Sequence, residues 1–255
     1  MDKRSIFITG AGSGIGAETA RLFAANGWRV GLADRDENAV KALARALGAP
    51  ARAYGIDVQS RTDIRAALES FTAEGGALHA IFNCAGLLDM HPFAKADPDR
   101  LDAIVDVNVK GVIHCIHEAL PFLRATDEAR IITMSSAAAI YGVPDLAVYS
   151  ASKFAVRGLT EALNVEFEAM GIWVCDVMVG YVDTPMLSAA DVTAKSVGMA
   201  GINVTPQMVA RTVLAATEDR QVHWFVREDD RDACNHFDST PIEKRREIIA
   251  TATGY

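Results

Sequence analysis

Short runs of consecutive apolar residues alternate along the chain with longer segments in which apolar residues recur every three to four positions. The runs are SIFIT, WRVGLA, ARAYGI, LHAIFN, ARIITMS and IWVCDVMV. The longer segments cover residues 14–26, 37–47, 60–74, 101–123 and 149–170. Unbroken apolar runs are typical of strands buried on both faces, and apolar residues that recur every three to four positions are typical of amphipathic helices. The alternation predicts a doubly wound α/β fold, with helices on both faces of a mostly parallel sheet.

The last third of the chain departs from this alternation. Residues 186–204 show no clear period, and an irregular stretch of this length predicts a functional loop such as a lid. Pro206 is then expected to open a helix, and VHWFV to form a seventh strand. The tail from 229 to 255 is polar and contains one predicted short helix, TPIEKRREIIA, whose role the sequence does not reveal.

The composition predicts one folded domain. The chain has 255 residues, half of them hydrophobic, and no linker rich in Pro, Gly or Ser divides it. We expect a single domain over 1–255, with a cofactor half at about 1–130, a catalytic and substrate half at about 131–228, and the polar tail.

Charge and cysteine content narrow the class of partner and the compartment. The net charge is −8, which argues against nucleic acid or an anionic membrane as the main partner. The four cysteines, Cys84, Cys115, Cys175 and Cys234, are widely spaced and form no C-x-x-C pair. The apolar run near the N-terminus is too short for a signal peptide, and no run reaches the length of a bilayer span. We therefore expect a cytoplasmic protein that acts on a small molecule.

A glycine cluster follows the first predicted strand directly. The sequence T-G-A-G-S-G-I-G begins at Thr9 and leads into a predicted helix. Gly10 permits a tight turn, Gly14 lets the backbone approach a phosphate, and Gly16 lets the helix pack closely on the sheet. Because the first N–H groups of a helix are free and its dipole is positive there, this turn is predicted to bind the phosphates of a dinucleotide.

The second predicted strand ends at Asp34, which bears on the choice of nucleotide. A carboxylate at this point accepts hydrogen bonds from both ribose hydroxyls of adenosine and repels a 2′-phosphate, which favours NAD over NADP. Arg35 follows and would receive a 2′-phosphate if Asp34 turned away. A second interpretation is that Asp34 only caps the next helix.

Tyr149 and Lys153 lie four residues apart in a predicted helix, so their side chains share one face. A nearby ammonium group and a positive nicotinamide ring are expected to lower the pKa of the phenol from its usual value of about 10. Tyr149 would then exchange a proton with an alcohol or ketone. Taken singly, each residue fits an ordinary role better: Tyr149 and Lys153 as solvated surface groups, and Asn108 as a residue that bonds its own backbone. Only their joint occurrence favours the catalytic interpretation.

Several motifs in the same order make the chain resemble the short-chain dehydrogenase/reductase family of NAD(P)-dependent oxidoreductases. They are the glycine cluster, N-C-A-G at 83–86, Asn108 in VNVKG, Ser136, and Y-S-A-S-K at 149–153. The resemblance runs from about Lys3 to VHWFV. It implies a Rossmann-type domain with a mostly seven-stranded sheet.

The resemblance also implies the catalytic residues. Ser136 would hydrogen-bond the substrate oxygen, Tyr149 would be the general acid and base, and Lys153 would hold the nicotinamide ribose. Asn108 would hold a water that links Lys153 to solvent. Ser135 is the rival of Ser136, although its side chain should point to the other face of the strand.

The cofactor contacts implied by the resemblance lie at the carboxyl ends of the strands, and the family needs no metal. Asp57 and Val58 would touch the adenine. The full set is Gly10, Ser13, Gly14, Ile15, Gly16, Asp34, Arg35, Asp57, Val58, Asn83, Ala85, Gly86, Tyr149, Lys153, Gly180, Val182 and Thr184.

Family members are commonly tetramers joined through the two long helices, here predicted at 101–123 and 149–170, and by the last helix and strand. These helices carry apolar residues on more than one face, as an intersubunit bundle requires. Examples are Val109, Ile113, Phe154 and Phe167. The sequence predicts a homo-oligomer and leaves dimer and tetramer open.

Two positions depart from the family pattern. Val179 stands where proline is usual, and we expect near-normal cofactor binding because the following glycine, valine and threonine are kept. Cys84 stands where a second asparagine is common, and a buried thiol is favoured there over a nucleophile. His114 and His117 share a helix face without a third ligand, which favours packing over a metal site.

These features predict an NAD-dependent oxidoreductase that acts on a secondary alcohol or ketone. The predicted substrate walls at 88–93, 138–146 and 181–187 are mostly apolar, which favours an apolar or alicyclic substrate. One alternative is an NADPH-dependent 3-oxoacyl-thioester reductase. The other is a regulatory protein that binds NAD without turnover.

Overall fold

The computed structural model describes residues 4–74 and 76–255, and within them it contains one parallel sheet of seven strands. The strands are β1 (Ser5–Thr9), β2 (Arg29–Asp34), β3 (Ala51–Gly55), β4 (Ala80–Asn83), β5 (Ala129–Met134), β6 (Ile172–Met178) and β7 (His223–Phe225). Their order is β3-β2-β1-β4-β5-β6-β7. Strands are therefore added outward in one direction from β1 to β3 and in the opposite direction from β4 to β7, and the switch lies between β1 and β4. The doubly wound fold predicted from the sequence is confirmed, and this switch point is where such sheets bind ligands.

Helices connect the strands and cover both faces of the sheet. Those between successive strands are α1 (Gly14–Ala25), α2 (Glu37–Leu47), α3 (Arg61–Ala73), α4 (Pro98–Val105), α5 (Val112–Leu123) and α6 (Ala147–Phe167). Those after β6 are α7 (Pro185–Ser188), α8 (Lys195–Ala200), α9 (Pro206–Ala215), α10 (Glu228–Ser239) and α11 (Arg245–Thr253). Polar caps start several of them; for example, Asp36 accepts a hydrogen bond from Ala39 N at 3.0 Å at the start of α2.

Alternate residues of each strand enter different halves of the core. Ile6 and Ile8 of β1 pack with helices α1 and α9, whereas Phe7 packs with α3 and α5. All three side chains are fully buried. Because both faces of the sheet are covered, the strand sequences are continuous apolar runs and do not alternate between apolar and polar residues.

The structure corrects three predicted segments. The helix expected at 101–123 begins at Pro98 and changes to a π-helix over Asp106–Gly111 before α5. The loop expected at 186–204 contains the short helices α7 and α8. The polar tail contains α10, which the sequence pattern did not predict, as well as α11. No helix in the described ranges has the length and apolar character needed to cross a bilayer.

Candidate active site

The carboxyl ends of β1, β2, β4, β5 and β6 border one continuous cleft of about 420 Å³. One end of the cleft is formed by the glycine turn after β1 and by the end of β2. The other end is formed by the segments after β5 and β6, by the start of α6, and by parts of α8, α10 and α11. The sheet topology therefore brings most of the residues singled out in the sequence to one place.

The glycine turn has no room for side chains where it meets its neighbours. A Cβ on Gly16 would lie 2.1 Å from the carbonyl oxygen of Gly10, and one on Gly10 would lie 2.7 Å from Ala85 N. Gly10 also has a φ of +69°, which only glycine adopts at low cost. Ser13 precedes α1 and makes no side-chain capping bond within the described chain, so the first N–H groups of α1 are free for an anion.

Asp34 is held at the end of β2 by two backbone N–H groups. Its Oδ2 accepts from Gly12 N and its Oδ1 accepts from Asp36 N, each at 2.9 Å. A Cβ on Gly12 would lie 2.9 Å from the Asp34 carboxyl carbon, so only glycine permits this approach. The interpretation of Asp34 as the cap of α2 is wrong, because Asp36 fills that role. Arg35 is exposed and also borders the cleft.

Most of the other cofactor residues implied by the resemblance also line the cleft. They are Ser13, Gly14, Ile15, Asp57, Val58, Ala85, Gly86, Gly180, Val182 and Thr184. Asn83 does not line it. Its side chain is buried beside β5, where Nδ2 donates to Thr133 Oγ1 at 3.2 Å. Asn83 is therefore placed to stabilise the sheet under the cleft rather than to touch a ligand.

Ser136 and Tyr149 meet at the inner end of the cleft. Ser136 directly follows β5, and its Oγ accepts from Ala138 N at 3.1 Å, which fixes the hydroxyl. Tyr149 lies in the first turn of α6, close enough for a hydrogen bond between its phenol and the Ser136 side chain. The rival, Ser135, has a buried Oγ with no hydrogen-bond partner among the described residues. The structure thus pairs Ser136, and not Ser135, with Tyr149.

Lys153 is buried one turn further along α6. Its Nζ donates to the carbonyl oxygen of Met134 at 2.8 Å and lies 5.5 Å from the centre of the Tyr149 ring. Burial lowers the pKa of Lys153 to about 8, and the nearby Cys84 and Asp176 side chains oppose this shift only in part. The ammonium group therefore titrates near physiological pH.

The predicted lowering of the Tyr149 pKa is wrong for the protein groups alone. Burial raises the pKa of Tyr149 to about 12, and the nearby Ser136 hydroxyl only partly opposes this change. Burial of the phenol is the main cause, and Lys153 donates its hydrogen bond to Met134 O rather than to Tyr149.

Asn108 lies in the π-helix rather than in the cleft. Its side-chain oxygen accepts from Leu87 N at 2.8 Å, and its Nδ2 donates to Leu87 O at 3.0 Å and to Ser152 Oγ at 3.1 Å. The amide therefore joins the segment after β4 to α6, the helix that carries Tyr149 and Lys153. π-Helical turns of this kind often mark functional sites.

Of the two departures from the family pattern, Val179 is buried and Cys84 is half-buried. Val179 is 4% exposed, and its carbonyl oxygen accepts from Ala137 N at 2.8 Å, which ties the segment after β6 to the segment after β5. Burial raises the pKa of Cys84 to about 12. A thiol with this pKa stays protonated near neutrality, so the nucleophile interpretation of Cys84 loses support.

The sequence missed several residues of the cleft. Ser196, Asp230 and Ala252 all border it. The last two belong to the polar tail, which folds back over the substrate end through α10 and α11. No local motif marks these positions, because only the tertiary fold brings the tail to the cleft. Within the described ranges, no group of three or more His, Cys, Asp or Glu residues could hold a metal ion.

A family model for the short chain dehydrogenases matches residues 4–195. The chain belongs to this family. The match covers the glycine turn, Asp34 and the Ser136, Tyr149 and Lys153 cluster, and stops before α9. The short-chain dehydrogenase identity expected from the motifs is thereby confirmed.

Relatives of this short-chain dehydrogenase include enzymes named for ring alcohols. Cyclohexanol dehydrogenase from Acinetobacter sp. (strain SE19) is 32% identical over 227 residues, which cover 86% of this chain and 89% of the relative. The 2,5-dichloro-2,5-cyclohexadiene-1,4-diol dehydrogenase of Sphingobium indicum is 33% identical over 192 residues, which cover 74% and 77%. The crystal structure of 3-ketoacyl-(acyl-carrier-protein) reductase from Brucella melitensis complexed with NADH matches with a TM-score of 0.80 at 28% identity, covering 88% of this chain and 97% of that one.

Proposed function

We propose that this short-chain dehydrogenase is an NAD-dependent enzyme that transfers a hydride between NAD(H) and a secondary alcohol or ketone of apolar or alicyclic type. The observation that carries the proposal is one cleft that holds the glycine turn and Asp34 at one end and Ser136, Tyr149 and Lys153 at the other. A nucleotide site and a proton-transfer site at this spacing in one cleft fit a hydride-transfer enzyme.

The residues of the cleft fit a dinucleotide of this kind. The free N–H groups at the start of α1 would hold the pyrophosphate, and Asp34 would accept the adenosine ribose hydroxyls. Asp57 and Val58 would face the adenine, and the far end would lie against Gly180, Val182 and Thr184. When bound, the nicotinamide supplies the position that accepts or donates the hydride.

Preference for NAD over NADP rests on how Asp34 is held. Both carboxylate oxygens are fixed by backbone N–H groups, so the side chain is not free to turn away from the ribose. A 2′-phosphate would then meet a fixed negative charge at a distance where repulsion is strong. Arg35 alone would have to compensate for it.

The proton steps fall to the residues at the inner end. The Ser136 hydroxyl would hydrogen-bond the substrate oxygen, and the phenol of Tyr149 would take the alcohol proton or return it to the ketone. Lys153 would supply positive charge beside the phenol and hold the ribose of the nicotinamide half. Asn108 would position α6 and a water molecule that relays the proton to solvent.

The substrate end favours an apolar ring. Met90, Val143 and Leu146 form a buried cluster there with the half-buried Tyr181 and Leu187. Two relatives are named for the oxidation of six-membered ring alcohols. An alicyclic alcohol would fill such a cleft while it presents its hydroxyl group to Ser136 and Tyr149.

A second candidate is an NADPH-dependent reductase of 3-oxoacyl thioesters. It is supported by the similarity to the Brucella melitensis 3-ketoacyl-(acyl-carrier-protein) reductase, although that structure contains NADH. A regulatory protein that binds NAD without turnover has less support, because Ser136, Tyr149 and Lys153 are all kept. Comparison of NADH with NADPH, and of cyclic ketones with acyl thioesters, separates the candidates.

We also propose a cytoplasmic homo-oligomer, either tetramer or dimer. The four cysteines are free thiols, which fits a reducing compartment. Ile113 of α5 and Phe154 and Val165 of α6 are 45%, 43% and 75% exposed, so they would be covered in an oligomer. Phe167, which the sequence placed at the interface, is instead buried in the core of the subunit.

The test uses the purified protein with NADH and NADPH and a panel of cyclic and linear alcohols and ketones. We expect absorbance changes at the nicotinamide band with NAD(H) and cyclic substrates. Replacement of Tyr149 by Phe should lower kcat by about a thousandfold and leave the Kd for NADH within about threefold. Normal turnover by Tyr149→Phe, or NADH binding without turnover of any alcohol or ketone by the wild type, would refute the proposal.

A further inference from the structure

The tail places one carboxylate in the substrate half of the cleft. The first turn of α10 carries three acidic residues in a row, Glu228, Asp229 and Asp230. The first two are exposed, whereas Asp230 is turned inward and borders the cleft. This difference in orientation distinguishes Asp230 from an ordinary acidic residue at the start of a helix.

The surroundings of Asp230 leave one of its oxygens without a partner. Asp230 lies beside Gly180, such that a Cβ on Gly180 would be 3.8 Å from Oδ1. The other oxygen, Oδ2, is buried and has no hydrogen-bond partner among the described residues. Burial raises the pKa of Asp230, and the positive charge of Arg227 and a hydrogen bond from the backbone N–H of Gly180 to the carboxylate only partly oppose this effect. A buried acceptor in this state is costly unless a donor reaches it.

The neighbouring polar groups do not supply that donor. Tyr181 and Ser196 hydrogen-bond each other at 2.6 Å. The negative charge of Asp230 contributes to the raised pKa of Tyr141, which shows that these two groups are close, and the Tyr141 ring packs against Phe237 with 5.5 Å between ring centres. Asp230 as a whole is only half-buried and borders the cleft, so a ligand in this mostly apolar space can bring a donor to its carboxylate.

Asp230 belongs to a different wall from the residues that exchange the proton. Ser136 and Tyr149 are contributed by the segment after β5 and by α6, whereas Asp230 is contributed by α10. The cleft thus has polar groups on two different walls of a substrate end that is otherwise mostly apolar. A ligand that satisfies both carries two polar groups on one apolar frame.

We propose that Asp230 accepts a hydrogen bond from a second hydroxyl group of the substrate, so that the preferred substrate is a cyclic diol or a hydroxylated cyclic ketone. This inference rests on the proposed function, in which Ser136 and Tyr149 bind the oxygen at the reacting carbon. A hydroxyl group fits better than an ammonium group, because an ammonium ion would lose far more hydration on entering an apolar cleft.

The test compares matched substrates in matched variants. The wild type, Asp230→Leu, Asp230→Asn and the control Asp232→Asn are assayed with NAD and five substrates. The substrates are cyclohexanol, the 1,2-, 1,3- and 1,4-cyclohexanediols, and trans-4-aminocyclohexanol. Asp232 lies on the same helix and is exposed, so its variant removes the same charge outside the cleft. NADH titration and thermal melting show that each variant is folded.

We expect the wild type to use at least one diol with kcat/KM about tenfold or more above cyclohexanol. Asp230→Leu should lower kcat/KM for that diol by about tenfold to hundredfold, mainly through KM, and change cyclohexanol by less than about threefold. Asp230→Asn keeps an oxygen acceptor and should retain part of the preference for the diol over cyclohexanol. This variant tests the inference if Asp230→Leu does not fold. Asp232→Asn should match the wild type.

Three results would overturn the inference while the proposed function stands. One is turnover of cyclohexanol with no preference for any diol. Another is an equal loss for cyclohexanol and the diol in Asp230→Asn. The third is a preference for the amino alcohol, which would assign an ammonium group instead. Failure of the wild type to turn over any alcohol or ketone would refute the proposed function itself, and the inference with it.

Discussion

The ammonium group of Lys153 donates a hydrogen bond to the backbone carbonyl oxygen of Met134, 2.8 Å away, at the end of β5. This bond fixes the amine between the sheet and α6, where the Lys153 side chain is almost fully buried. Burial lowers the pKa of Lys153 to about 8 and raises that of Tyr149 to about 12. In the protein without nucleotide, Lys153 therefore loses its proton before Tyr149 as the pH rises, and it does so near pH 8.

The first prediction concerns the pH dependence of alcohol oxidation. In the proposed relay, Tyr149 would pass the proton of the alcohol on through Lys153 toward solvent, and only neutral Lys153 can receive it. For alcohol oxidation, kcat/KM should therefore rise by about tenfold per pH unit below the inflection and level off above about pH 8. Ketone reduction needs the protonated form and should show the opposite slope. Lys153→Arg keeps the positive charge but does not titrate in this range, so it should lose the inflection.

Initial rates from pH 6 to 10 at subsaturating alcohol check this prediction. Lys41→Met removes an exposed lysine of α2 that does not line the cleft, and it should keep the wild-type profile. A flat profile in the wild type, or an unchanged inflection in Lys153→Arg, would show that another group controls the proton step.

The second prediction concerns the nucleotide. Asp34→Ala removes the acceptor for the ribose hydroxyls and the charge that repels a 2′-phosphate, while Arg35 remains beside the cleft. We expect the ratio of kcat/KM for NADH to that for NADPH to fall by about a hundredfold, because two charge-assisted hydrogen bonds are lost. Steady-state kinetics with each nucleotide measure this ratio.

Asp36→Asn serves as the matched control for Asp34→Ala. Asp36 is exposed and lies two residues from Asp34, so its replacement by Asn removes a nearby negative charge. The asparagine side chain can still cap α2. Its nucleotide ratio should stay within about threefold of the wild type. A wild type that prefers NADPH would contradict the role given to Asp34 before any variant is made.

The parts of the molecule that could be predicted from sequence are those in which one short stretch contains the whole physical signal. Strand β1, the glycine turn and α1 follow one another directly, and Asp34 ends the next strand. Tyr149 and Lys153 lie on one face of one helix. In each case the neighbours in space are also neighbours in the chain, so spacing alone predicts the geometry.

The parts that could not be predicted depend on contacts between distant segments. The pKa of Tyr149 is set mainly by its burial, which depends on the packing of distant segments around the cleft. Asn83 follows the family pattern, yet it pairs with Thr133 under the cleft. The site at Asp230 needs α10, in which Cys234 and Phe237 are the buried residues. Two buried residues in a polar stretch give no clear helical period.

The third prediction concerns stability at low pH. Glu118 of α5 is almost fully buried and forms ion pairs with Arg61 and Arg65 of α3, each at 2.7 Å. Burial alone would raise its pKa, but the hydrogen bonds from the two arginines outweigh it and lower the pKa from 4.5 to about 2. Because the pKa in the folded state is the lower one, this contribution to stability is complete above about pH 4.5 and is lost as the pH falls toward 2.

Glu118→Gln should therefore lower the free energy of unfolding at pH 7 by about 1–2 kcal/mol, a value reduced by the exposure of both arginines. The difference from the wild type should shrink between pH 4.5 and 3. Urea denaturation at pH 7, 5 and 3.5 measures it. Glu69→Gln, an exposed change on α3, should cost less than about 0.5 kcal/mol at every pH. A pH-independent difference would point to packing rather than charge.

The last prediction concerns the contact that holds α11 over the substrate end. The Tyr255 hydroxyl donates to Asp145 Oδ1 at 2.5 Å, and Lys195 Nζ lies 3.9 Å from the centre of the Tyr255 ring. Tyr255 thereby joins two walls of the cleft, since Asp145 precedes Leu146 and Lys195 begins α8, which carries Ser196. Loss of this contact should loosen the substrate end and leave the nucleotide end unchanged.

We expect Tyr255→Ala to raise KM for the alcohol by about threefold to tenfold with an unchanged Kd for NADH, and Tyr255→Phe, which keeps the ring over Lys195, to have a smaller effect. Ile242→Ala, an exposed change elsewhere in the tail, should alter neither value. Asp145→Asn should raise KM on its own and add little to Tyr255→Phe, because both remove the same hydrogen bond. Full additivity of the KM effects of Asp145→Asn and Tyr255→Phe would show that the two residues act separately. Weaker NADH binding by Tyr255→Ala would show that the tail supports the whole cleft rather than its substrate end.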